Sequence, residues 1–221
     1  MDINAIQSDH AHRRFIKALV NWRHKEISLA ITWALLLFVL SLLINYLAGI
    51  YASSRASAAV NDIILDNLPT FDVDGIFVYS FFVLFFAIAG VLVWRPHNAP
   101  FVIKSLSLFI VVRSFFVCLT HIGPLPQAAI ISPDSIVNLF TFTGDLFFSG
   151  HTGLPFLMAL IFWQNIYLSK IFLGFSIFLG VIVLLGHLHY SIDVFAAFFI
   201  TYGIYHIALR LFKKDYGRLK I

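Results

Sequence analysis

His189 and Asp193 stand four residues apart in "HLHYSIDVFAAF" (His187–Phe198). On a helix that spacing puts two side chains on one face, one turn apart. A carboxylate that holds one imidazole nitrogen fixes the tautomer and leaves the other nitrogen to act as nucleophile or base. A second polar knot, "TGDLFFSGHTG" (Thr143–Gly153), gathers Ser149, Gly150, His151 and Thr152 just ahead of an apolar run. A helix start offers unpaired N–H groups and the positive end of its dipole, which suits phosphate. Gly150 permits close backbone approach, Ser149 and Thr152 can donate hydroxyl bonds, and His151 can give a proton to a leaving oxygen. Two histidines and an aspartate are the inventory for covalent phosphoryl transfer: one His attacks phosphorus, the Asp steadies it, the other His protonates the departing oxygen. Each piece also has a plainer reading, as a structural His–Asp pair, an N-cap or a loop.

Phosphate oxygens call for a cation. Arg113, near the end of an apolar run, is the candidate, since its planar fork binds phosphate bidentately; snorkelling to the interface is its plainer use. Asp145 can position a headgroup or Arg113, or cap a loop. Tyr190 offers an aromatic face to a cationic headgroup, and Asp72 a carboxylate. "HxHxxxD" can also begin a zinc site with His187 and either His151 or Asp145, but no Cys or Glu completes it. The single cysteine, Cys118, excludes an internal disulfide and reads as packing.

The elements that must hold these groups are apolar. The chain has 221 residues, 60% of them hydrophobic, 17% aromatic and 12% charged, with 25 phenylalanines. Soluble domains rarely exceed about half apolar residues, so the chain reads as all-α and polytopic in a membrane. Six runs reach the roughly 20 residues that a span needs: about 27–50, 75–94, 100–119, 153–169, 171–188 and 192–212. The fourth and fifth meet at Ser169–Lys170 as a hairpin. Arg13, Arg14, Lys17, Arg23 and Lys25 precede the first run, and Arg210, Lys213, Lys214, Arg218 and Lys220 end or follow the last. By the positive-inside rule both termini are cytoplasmic, and His151, His187 and His189 lie at the non-cytoplasmic face. Three parts follow: a basic segment over 1–26, a six-helix catalytic domain over 27–212 and a basic tail over 213–221. A cavity between spans three to six, open sideways to the outer leaflet, is the expected site. Nothing in the charge pattern asks for nucleic acid.

"SGH" followed by "HxxxD" resembles the type 2 phosphatidic acid phosphatase superfamily. "GDLFFSGHT" (Gly144–Thr152) and "HLHYSIDVFAAF" are similar to the third and fourth motifs of sphingomyelin synthases and their relatives. "RSFFVCLTHIGPLP" (Arg113–Pro126) resembles their second motif, and "NLPTFD" (Asn67–Asp72) their first. The resemblance spans about residues 60–210. It implies His189 as nucleophile, Asp193 as its orienting partner and His151 as general acid and base. It also implies transfer of a phospho-alcohol headgroup from a glycerophospholipid to a ceramide-type hydroxyl, without metal or other cofactor. The phosphatase branch has an arginine six residues before its second histidine; Val183 stands there in this chain, which argues against an ordinary lipid phosphatase. A hydrolase using the same triad and a non-enzymatic transporter or scaffold are the rival classes. The compact form implies a bacterial inner membrane with a periplasmic site, the alternative being a eukaryotic Golgi or plasma membrane. Headgroup, acceptor and oligomeric state are not encoded in these motifs.

Overall fold

The computed structural model describes residues 25–129 and 146–219. Among these residues there is no strand. The helices are α1 (Lys25–Arg55), α2 (Asp74–Trp94), α3 (Ala99–Leu119), α4 (Gly150–Ile161), α5 (Ile166–Leu185), α6 (Ser191–Leu211) and α7 (Lys213–Tyr216). Single 3₁₀ turns stand at Leu65–Asn67 and Pro96–Asn98.

Five of them, α1, α2, α3, α5 and α6, are long and apolar enough to cross a membrane. The fourth run departs from the sequence expectation. α4 has 12 residues, which at 1.5 Å per residue is about 18 Å against roughly 30 Å of hydrocarbon. The hairpin turn accordingly lies at 162–165, not at Ser169–Lys170. Asn165 makes that turn: its side-chain oxygen accepts from the Leu168 N–H at 3.1 Å and so caps α5. Ser169, inside α5, donates to the Ala159 carbonyl at 3.1 Å and ties the two helices.

Helices in lipid associate through close packing rather than through the hydrophobic effect, and small residues let their backbones approach. α1 shows this in its buried stripe of Ile27, Ile31, Ala34, Ser41, Ala48 and Ala52, laid mainly along α3. Ala34, Ser41 and Ala48 repeat every seven residues, the spacing of a shallow left-handed crossing. The main core joins α3 to α6 through Phe101, Phe109, Phe148, Leu157, Leu179 and Ile204, each at most 2% exposed. Large apolar side chains such as Leu43, Phe86 and Phe199 face outward, as lipid-facing positions must.

The two ends of the bundle differ. At one, Lys104 of α3 donates to Asp215 of α7 at 2.6 Å, and Arg218 lies 3.6 Å from Asp215 and 3.8 Å from Glu26 of α1. At the other, the segments 56–73 and 120–129 close over the α5–α6 connection. Ser57 N–H donates to His121 O at 2.8 Å, Phe71 N–H to Leu185 O at 2.9 Å and Ala129 N–H to Gly186 O at 2.8 Å. The last two satisfy carbonyls that the end of α5 leaves without partners.

Candidate active site

The chain reaches His189 through a reversal at the end of α5. Leu188 N–H donates to Val183 O at 2.9 Å and His187 N–H to Leu184 O at 3.0 Å, the bond pair of a Schellman motif. His187 takes the left-handed position with φ 52°, alone among the described non-glycine residues. His tolerates that region better than branched side chains do. Its ring then turns to the loop, and Nε2–H donates to the Leu68 carbonyl at 3.0 Å. The neighbouring histidines of "HLH" thus have different uses.

His189 Nδ1–H donates to Asp193 Oδ2 at 3.1 Å, and the same oxygen accepts from Tyr190 N–H at 3.1 Å. Asp193 is fully buried and His189 is 6% exposed. A carboxylate only accepts, so the pair fixes the proton on Nδ1 and directs Nε2 outward from it. Tyr190, expected from sequence to offer its face to a headgroup, is 1% exposed. Its hydroxyl donates to Gly123 O at 2.8 Å and accepts from Val60 N–H at 3.1 Å. It is a strut between both loop segments.

The start of α4 is fastened beside this pair, because Ser149 N–H donates to Asp193 O at 2.9 Å. Ser149 caps the helix: its hydroxyl oxygen accepts from Thr152 N–H at 3.4 Å. Gly150 faces Arg113 of α3 so closely that a Cβ there would lie 3.3 Å from Nε. Arg113 is 8% exposed and donates from Nε to Phe148 O at 3.1 Å. Gly153 is needed for packing, since a Cβ would come within 2.7 Å of the Phe109 ring. The His151 ring lies against Phe77 and Phe81 of α2, with centroids 4.3 and 5.8 Å away. It is within electrostatic reach of His189 and Arg113. His151 Nε2, Thr152 Oγ1 and Asp193 Oδ1 are buried without hydrogen-bond partners among the described residues. Buried polar atoms left so are costly and mark a place where another polar group belongs.

The site is recessed. The Thr152 carbonyl accepts from Ser176 Oγ at 2.7 Å, and Thr152 also packs at Gly180. Those residues stand nine and five positions before the end of α5 at Leu185, or about 8–14 Å along the helix axis.

Two features were not visible in the sequence. α2 covers His151 with Phe77 and Phe81, and a groove of about 530 Å³ runs between α2 and α5, lined by Gly75, Ile76, Tyr79, Ser80, Val83, Phe175 and Phe178. The second span thus packs on His151, whereas the sequence reading placed the site between spans three to six. The other feature is Asp62, 7% exposed. Its Oδ2 accepts from Ser191 N–H at 2.7 Å, and its Oδ1 from Ile64 N–H at 3.0 Å and Leu65 N–H at 3.2 Å. Burial alone would push its pKa up; the backbone donors, Ser191 first, outweigh burial and hold it below the ordinary carboxylate value. Asp72 accepts from Asp74 N–H at 3.2 Å and stays exposed at the start of α2. Asp145 lies outside the described residues. Among the described residues no group of three His, Cys, Asp or Glu side chains is placed to hold a metal ion.

Residues 143–209 match the family described as PAP2 superfamily C-terminal. The match holds both Ser149–Gly153 and His189–Asp193, and supports placement in the type 2 phosphatidic acid phosphatase superfamily, whose chemistry is that of lipid phosphatases and phosphotransferases. No curated protein and no solved structure matches the chain.

Proposed function

We propose that this integral membrane protein is a lipid phosphotransferase of the sphingomyelin synthase kind. It moves a phospho-alcohol from a glycerophospholipid to a ceramide-type or other lipid hydroxyl and releases diacylglycerol. The observation that carries the reading is the fastening of the His189–Asp193 pair, through the Ser149–Asp193 backbone bond, to the helix start that bears His151 and faces Arg113.

His189 Nε2 attacks phosphorus, and the P–N bond forms as the P–O bond to diacylglycerol breaks. His151 gives the departing oxygen its proton. His151 then takes the proton of the acceptor hydroxyl as that oxygen attacks the phosphohistidine, which restores His189. Asp193 holds the Nδ1 proton and balances the imidazolium charge that develops. Arg113 and the first N–H groups of α4 meet the phosphate oxygens, with Ser149, Gly150 and Thr152 shaping the contact; Asp145 is assigned to the headgroup on its sequence position alone. Tyr190 serves indirectly, by bracing the loops.

Transfer is preferred over hydrolysis for two reasons. Val183 is fully buried beside Val73, Phe77 and Val194, so the position of the phosphatase arginine is apolar. His189 is buried and the half-buried His151 ring lies against Phe77 and Phe81, which limits bulk water at the intermediate. In the same reading six helices cross the bilayer, α4 as the short one. The Lys104–Asp215–Arg218 end with both termini is cytoplasmic, and the site faces the periplasm of a bacterial inner membrane.

Purified protein in mixed lipids, supplied with fluorescent ceramide and diacylglycerol as competing acceptors, tests this by mass spectrometry. A labelled phospholipid product that disappears in His189→Ala is the expected result. Water-soluble phosphate or phospho-alcohol formed without dependence on acceptor would make the protein a hydrolase.

A further inference from the structure

Two consecutive N–H groups at the start of α6 go to two different carboxylates. Tyr190 N–H goes to Asp193, three residues on, and Ser191 N–H goes to Asp62, 129 residues back. Asp193 uses Oδ2 twice, for Tyr190 N–H and for His189 Nδ1–H, while its buried Oδ1 has no partner among the described residues. The first N–H groups of a helix need acceptors, and Asp193 is the acid of that first turn. Without Asp62, the Ser191 N–H would compete for the Asp193 carboxylate, whose Oδ1 has no partner among the described residues to hold it in place, and a carboxylate drawn toward Ser191 loosens its bond to His189.

We propose that Asp62 is a positioning residue of the active site: by taking the Ser191 N–H it reserves the Asp193 carboxylate for His189. Its other oxygen bonds Ile64 and Leu65 N–H and keeps the carboxylate aimed at the helix. The 56–73 segment is thus joined to the catalytic turn by a bond that acts on tautomer and ring angle, not only on loop closure. The inference rests on the reading of His189 as nucleophile, but its structural half stands without any turnover.

The experiment is ¹⁵N-histidine NMR of the full chain in mild detergent at neutral pH, on wild type, Asp62→Ala, Asp62→Asn, Ser191→Pro and the Asp62→Ala/Ser191→Pro double variant, with Asp193→Asn as the reference for a lost pair. Proline is tolerated at the first helical position, and there it removes the competing N–H together with the Ser191 hydroxyl, which also bonds Asp62. The expected result is a protonated Nδ1 at His189 in wild type and in Ser191→Pro. In Asp62→Ala the His189 signals should move toward those of Asp193→Asn, and by less in Asp62→Asn, whose amide oxygen can still accept the Ser191 N–H; the double variant should return them. Lipid turnover should follow, with kcat down about 10- to 100-fold at nearly constant KM in Asp62→Ala and recovery in the double variant. His189 signals unchanged in Asp62→Ala overturn the proposal, as does a double variant no better than Asp62→Ala. If Asp62→Ala does not fold, Asp62→Asn and Ser191→Pro decide: a Ser191→Pro signal displaced like that of Asp193→Asn overturns it. Absence of all lipid turnover in wild type, with the NMR pattern as expected, overturns the enzymatic reading and leaves the role of Asp62 standing.

Discussion

Two helix starts meet at the site, and they are treated in opposite ways. α6 opens with its N–H groups already given to carboxylates, Asp193 and Asp62. Among the described residues α4 opens with a long serine cap at 3.4 Å, a glycine in place of a side chain, and an arginine 3.3 Å from where a Cβ would be. A helix start holds an anion in either case. At α6 the anion is the protein's own and holds an imidazole, whereas at α4 the helix start is packed against the Arg113 side chain, which the proposed reaction uses to meet a phosphate. In the proposed reaction one end orients the nucleophile and the other holds what it attacks. The backbone bond from Ser149 to Asp193 keeps the two in register.

The comparison breaks most severely if the two histidines are not partners in one reaction. His189→Ala and His151→Ala should each lower turnover about a thousandfold or more, and the double variant should be little worse than either alone; multiplying losses in the lipid assay would refute a shared mechanism. Asp193→Asn should keep the fold and cost about 10²- to 10⁴-fold in kcat, as loss of the orienting carboxylate does elsewhere. Arg113→Lys tests the α4 side. It keeps the charge and removes the fork, and should lower kcat/KM about 100-fold; a wild-type value would mean that Arg113 only fastens Phe148.

Smaller effects sharpen the structural half. Gly153→Ala puts a methyl 2.7 Å from the Phe109 ring and 2.9 Å from Thr201 Oγ1, and should cost about 1–3 kcal/mol of stability, read as a lower midpoint of thermal unfolding in detergent. Acid should act through Asp62. Its pKa is depressed in the folded protein, so its stabilisation is whole above the ordinary value of 3.8 and is lost as pH falls through the lower folded value. Wild type should therefore lose more thermal stability than Asp62→Asn between pH 5 and pH 3; parallel curves would remove Asp62 from the account.

The parts legible in the sequence are those with short-range causes. Apolar runs announced the long helices, and the four-residue spacing of His189 and Asp193 announced a shared face. The motif around Ser149 announced a helix start. The hairpin turn was misplaced because hydropathy averages over Phe162 and Trp163, whereas the Asn165 cap is a single polar residue inside an apolar stretch. α4 was read too long for the same reason. Asp62 was hidden by distance along the chain, since nothing near it in sequence points to Ser191. Phe77 and Phe81 were hidden by abundance: two of 25 phenylalanines carry no mark that says they will lie on a histidine.

If the proposed reaction holds, the recess of α4 makes the thickness of the surrounding bilayer part of the chemistry. In the proposed reaction a phosphate that reaches the start of α4 has to pass inward from the end of α5, since Thr152, in the first turn of α4, meets α5 about 8–14 Å down its axis. That descent is work done before any bond changes, and it grows with each ångström of acyl layer above the helix start. Bilayers of shorter chains bring the headgroup plane down to the arginine, while long, saturated chains lift it away. The same polypeptide, with the same residues in the same places, would run at rates set by its solvent of lipids.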